Sequence, residues 1–189
     1  MKKLLVILGF LSFSVTAQKT IRSIKLDSAV FNEIAKVRRE NNKPSVLKFF
    51  YGKIREFSYT VTEKNCDANY FKHSPMDSMR KYCNAECIYQ RIIKSDDALN
   101  VLSIIDIELY PEKIAAIAFR IVECWMNSES HRLAILRPWN RSFTITSQIE
   151  ILDDGKIAVL SVSYHAVRGT CTLNELPIGL RYNTEYYLN

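Results

Sequence analysis

Trp125-Met126-Asn127-Ser128-Glu129-Ser130-His131-Arg132-Leu133-Ala134-Ile135-Leu136 is where an apolar helical face runs into a polar Ser-x-x-His step. The helix that delivers this step opens at Pro111, a residue well tolerated at the first helical position. Ile114, Ile117, Ala118, Ile121, Val122 and Trp125 recur at helical spacing, so the helix is predicted to lie in the core. Small polar residues and a histidine at its far end are poor core-builders but suit the floor of a surface cleft. Glu123 sits two positions before Trp125 and is expected to face outward. Glu129 is read as a solvated rim residue.

Upstream, Val30, Phe31, Ile34 and Val37 form the stripe of an amphipathic helix over Ala29–Asn42, with Asp27 or Ser28 as its cap. Lys36, Arg38, Arg39 and Glu40 largely avoid that stripe, and Asn41-Asn42-Lys43-Pro44 ends it. A second helix over Lys53–Cys66 carries Ile54, Phe57 and Val61. Residues 67–90 read as a short polar region holding His73, Cys83, Glu86 and Cys87, and Lys94-Ser95-Asp96-Asp97 as an exposed loop.

The last third changes period. Phe143–Thr146 and Ile149–Ile151 alternate like half-buried strands, Asp153-Asp154-Gly155-Lys156 is a hairpin signal, and Ile157–Tyr164 returns. His165, between Tyr164 and Val167, reads as a surface or packing residue. The tail beyond Gly169, with Cys171, Tyr186 and Tyr187, reads as a cover. Helices followed by an antiparallel hairpin predict one layered α+β domain.

The front of the chain has a basic start at Lys2-Lys3, an apolar run from Leu4 to Phe13 and a Val15-Thr16-Ala17 exit. These are the parts of a secretory signal peptide over residues 1–17, leaving 18–189 as a single domain that is secreted or periplasmic. The apolar run is too short for a permanent span, so no integral membrane segment is expected after cleavage. The formal net charge is +6, of which Lys2 and Lys3 supply two. With no basic block and no aromatic-basic alternation, nucleic acid is not an expected partner.

Five cysteines, Cys66, Cys83, Cys87, Cys124 and Cys171, imply disulfides in an oxidising compartment with one thiol left over. A Cys87–Cys124 bridge is one pairing, with Cys83 a competitor for either partner. Zinc-finger spacing is absent.

The Trp125–Leu136 segment resembles the W-M-x-S-x-x-H-R-x-x-I-L signature of bacterial CAP domains (cysteine-rich secretory, antigen 5 and pathogenesis-related proteins, the SCP-like extracellular family). Phe31-Asn32-Glu33-Ile34-Ala35-Lys36-Val37-Arg38 is similar to the family's opening helix, and His73-Ser74-Pro75 stands at the place of its first cleft histidine. Asn84-Ala85-Glu86-Cys87-Ile88 falls where the family has G-E-N-[IL], with its glycine and asparagine replaced, and Ile157–Tyr164 matches the closing strand. The resemblance implies a three-layer α-β-α sandwich with an antiparallel sheet. It also implies a central cleft lined by His73, Glu86, Ser128 and His131. Ser128 stands where many eukaryotic members carry a second acid. Divalent metal, lipids and protein partners are the ligands the family implies.

The chemistry of those residues gives three readings. His73, His131 and Glu86 with water in a fourth position would make an open site for zinc or another divalent cation. A binding or interaction module for a small molecule, lipid or extracellular protein is the expected function, without catalytic residues. The alternative is a metal-assisted extracellular hydrolase, protease or esterase. Ser128 or Ser130 with His131 and Glu86 would supply the parts of a nucleophilic triad, but no sharp nucleophile turn or oxyanion loop accompanies them.

Overall fold

The computed structural model describes residues 19–46, 48–49, 52–94, 111–152 and 156–167. Strand β1 (Lys19–Arg22) leads into helix α1 (Ile24–Glu40), the short β2 (Lys48–Phe49) and α2 (Lys53–Lys64). Then come α3 (Met76–Tyr82), β3 (Cys83–Lys94), α4 (Pro111–Asn127) and α5 (Glu129–Leu136). The last two strands are β4 (Ser142–Leu152) and β5 (Ile157–Val167). The fold is α+β.

The sheet runs β1-β4-β5-β3, with every one of these pairs antiparallel. β5 takes one edge of β4 along nearly its whole length, so β1 and the short parallel β2 share the other edge. The β4–β5 pairing is the hairpin expected from the sequence; its tip at 153–155 lies outside the described residues. So do residues 1–17, Ser95–Asp97 and the tail with Cys171.

Helices cover both faces, giving three layers. α1, α4 and α5 bury Leu26, Val30, Ile34, Ile121, Trp125 and Ile135 against Phe143, Ile145, Leu160, Val162 and Tyr164 of the sheet. α2 and α3 cover the opposite face, where Ile54 and Phe57 meet Cys83 and Val167. β4 and β5 are therefore buried on both sides rather than half-buried. The α2-facing side is polar all the same: Thr144, Thr146 and Gln148 of β4 and Ser161, Ser163 and His165 of β5 are almost fully buried.

Three local expectations change. α1 starts earlier than its apolar stripe suggests, because Ser23 caps it, its side chain accepting from the Leu26 amide at 3.2 Å. Asp27 is instead a buried residue of the first turn. Arg38, expected off the stripe, is fully buried and donates to the carbonyls of Pro44, Ile135 and Arg137. Finally, the stretch 67–90 is largely regular: it holds α3 and most of β3, so Glu86 and Cys87 lie on a strand.

Candidate functional site

Glu86 enters the sheet on β3 directly opposite His165 on β5, on the α2-facing side. Its side chain is almost fully buried, and each carboxylate oxygen accepts two hydrogen bonds. Oε2 accepts from the Ser74 amide at 2.9 Å and from His73 Nδ1 at 2.7 Å. Oε1 accepts from Ser74 Oγ at 2.5 Å and from His165 Nε2 at 2.9 Å. Burial alone would raise this carboxyl, but the bonds from His165, His73 and Ser74 outweigh it and hold the group well below the ordinary glutamate range.

The segment that brings His73 to Glu86 is fixed from both ends. Asn65 donates to the Lys72 carbonyl at 3.1 Å and accepts from the Lys72 amide at 2.9 Å. The Gln90 side chain of β3 reaches the carbonyls of Asn65, Asp67 and Tyr70. Pro75 then stands at the entry to α3. The His73 ring is about half exposed, with Nδ1 on Glu86. That bond raises its pKa.

His131 comes from the opposite helical layer. Ser128 interrupts the helix, so α4 ends at Asn127 and α5 starts at Glu129. Trp125 anchors α4 by donating from Nε1 to the Ile88 carbonyl of β3 at 3.0 Å. Cys87 on the same strand reaches the His131 carbonyl at 3.9 Å. The two imidazoles thus meet beside β3, the outer strand among the described residues, with ring centroids 5.8 Å apart. The His131 side chain makes no hydrogen bond to any described residue. Its partial burial and the neighbouring His73 lower its pKa, against an opposing pull from Glu86.

The structure therefore brings His73, Glu86 and His131 together. Glu86 accepts from His73, His165 and Ser74, four hydrogen bonds in all. The Ser128 hydroxyl lies 3.3 Å from that of Ser130. Among the described residues no three His, Cys, Asp or Glu side chains are arranged to hold a metal ion.

His165 is the member that the sequence places at the surface or in packing. It is fully buried, with Nε2 on Glu86, Nδ1 2.9 Å from Ser58 Oγ and its edge toward Phe57. The chain has three histidines, and all three gather around one carboxylate. That scarcity was the available signal.

Cys66, Cys83, Cys87 and Cys124 are free thiols, so the Cys87–Cys124 bridge is not made. Glu123 pairs with Arg120 at 3.1 Å on the outer side of α4, and Glu129 is exposed, both as expected. A separate groove of about 690 Å³, lined by Glu63, Lys64, Cys66, Asp67, Tyr70, Glu150 and Leu152, shares no residue with the cluster.

No protein-family model and no curated protein matches the chain. The chain is similar to the solved structure of an outer surface protein from Borrelia burgdorferi. The two are 16% identical over 80% of this chain and 99% of that one, with a TM-score of 0.42. No helix among the described residues is long and apolar enough to cross a membrane.

Proposed function

We propose that the protein is an exported, CAP-like binding module whose cleft takes a divalent cation between His73 and His131. One observation carries this reading. A buried, ionised Glu86 holds the half-exposed His73 by Nδ1, leaving its Nε2 uncommitted, and the uncommitted ring of His131 lies with its centroid 5.8 Å away. A carboxylate behind a histidine fixes the tautomer and raises the basicity of the outward nitrogen, the usual support of a metal-binding imidazole. Two rings on one tetrahedral zinc, with bonds of ~2.0–2.1 Å, have centroids about 5 Å apart. The observed separation is 5.8 Å. A bound cation would supply a Lewis-acid contact for a polar group of a small molecule, lipid or extracellular protein. The residues themselves orient and desolvate that contact.

Export is supported by the basic-apolar-small pattern of residues 1–17, and the CAP resemblance by the Trp125–Leu136 motif. Calorimetric titration of zinc into the chain starting at Gln18 tests the site. Saturable binding that a His73→Ala, His131→Ala double variant loses is the expected result. Absence of binding in the unsubstituted protein sinks the cation reading.

The pairing of His73 with Glu86 is also the base-and-orienter arrangement of hydrolases, so metal-assisted hydrolysis is the second reading. It lacks a serine: Ser74 is committed to Glu86, and Ser128 meets Ser130. Only a water nucleophile is left to it. Ester or peptide hydrolysis that is abolished by a chelator and restored by zinc would establish it.

A further inference from the structure

Behind Glu86 the hydrogen bonds continue inward. Glu86 is ionised and can only accept, so His165 carries a proton on Nε2. On its other side His165 Nδ1 lies 2.9 Å from Ser58 Oγ of α2. The Ser58 oxygen lies 2.6 Å from Thr146 Oγ1 on β4, which lies 2.7 Å from Thr62 Oγ1 on α2. Every member of this chain, from Thr62 to Glu86, is buried. Its bonds span α2, β4, β5 and β3, and they end on the carboxylate that holds His73 at the cleft.

We propose that His165 is the positioning residue of the cleft: from inside the protein it clamps Glu86, and through Glu86 it fixes His73 with a proton on Nδ1 and a lone pair on Nε2. His165 never reaches the cleft. Without its donor, Oε1 would be held by Ser74 Oγ alone, and the carboxylate could turn away from His73. His73 would then be free to place its proton on either ring nitrogen, and a proton on Nε2 removes that outward nitrogen as a cation ligand. The hydroxyls of Ser58, Thr146 and Thr62 hold the His165 ring in place from its Nδ1 side.

This inference rests on the cation-binding reading for its affinity readout, while its spectroscopic readout is independent. The ring ¹⁵N shifts of His73 are measured at alkaline pH, where the imidazole is neutral, together with the zinc titration. The unsubstituted protein is expected to show His73 almost wholly as the Nδ1–H form. His165→Leu should give a mixed tautomer and weaken zinc binding about 10- to 100-fold, the usual cost of losing a ligand's supporting partner. His165→Gln, whose amide can still donate to Glu86, should recover most of both. Ser58→Ala should shift both in the same direction by less, and it decides the matter if the leucine variant fails to fold. An unchanged Nδ1–H tautomer in His165→Leu, or in Ser58→Ala where that replaces it, overturns the clamp. If the unsubstituted protein binds no zinc, the cation reading falls, and the tautomer alone still decides the role of His165.

Discussion

Asp27 in the first turn of α1 and Arg55 on α2 meet at 3.3 Å, joining the two helical layers around the edge of the sheet. They do so beside the part of β4 left open between β1, which pairs with Gln148–Ile151, and β2, which pairs with Ser142–Phe143. The other Asp27 oxygen lies 2.7 Å from Ser147 Oγ, which is also 3.0 Å from the Ser23 carbonyl. One hydroxyl has one proton. Both contacts are satisfied together only when Asp27 brings a proton of its own.

That geometry sets a pH dependence. Burial raises Asp27 from 3.8 to about 7, against the opposing effects of Ser147 and Arg55. Between those values the folded protein keeps a proton that the unfolded chain has lost, so stability falls as pH rises through the window. For every pH unit crossed inside it, the loss is at most about 1.4 kcal/mol. Urea midpoints between pH 4.5 and 6.5 should decline in the unsubstituted protein and decline much less in Asp27→Asn. An equal slope in both would show that Asp27 is not the group responsible.

Glu86 acts in the opposite direction. Its folded pKa is depressed, so its contribution is present above the ordinary value of 4.5 and is lost as pH falls below it. Glu86→Gln should cost about 2–4 kcal/mol at neutral pH, because an amide nitrogen would face donors that have lost their acceptor. The variant should also lose the acid-side slope. His73 adds a smaller share, present below 6.5 and fading as pH rises through its elevated folded value. Denaturation at neutral and acid pH separates these groups.

Arg38 is a structural cation. Its guanidinium bridges the carbonyl of Pro44 to those of Ile135 and Arg137, tying the end of α1 to the end of α5. Arg38→Met should destabilise by about 2–4 kcal/mol. Arg38→Lys should recover only part of this, since one ammonium cannot span both segments. A loss below about 0.5 kcal/mol in the methionine variant would mean that water replaces these bonds without cost.

The thiols should separate by accessibility. Cys124 is exposed, while Cys66, Cys83 and Cys87 are buried. Burial also pushes Cys66 and Cys83 up to about 12 and Cys87 well above its ordinary value. In a reduced Cys171→Ser variant, a thiol reagent should modify one cysteine quickly and the other three only on unfolding. Rapid reaction of more than one would show that the helical layers open.

The apolar side of this fold is legible in the sequence. Val30, Phe31 and Ile34 of α1 and Ile121, Val122 and Trp125 of α4 pack where their spacing places them. The polar side is not. β3 and β5 carry Glu86, Gln90, Ser161, Ser163 and His165 toward α2, whereas polar residues in alternation point by pattern alone to a solvated face. Here they face a second helical layer. His73, Glu86 and His131 are found through a motif resemblance. His165 has no such motif, and its role exists only because β5 pairs with β3 in this register.

That register has a practical consequence for anyone wishing to move the cleft elsewhere. Its parts arrive from α2, the segment before α3, three strands and α5, so no continuous peptide contains them all. Transplanting His73 and His131 onto another scaffold would carry the fingertips without the hand. A shorter route is to keep this sheet and vary the two lips, since the grip beneath them is already built.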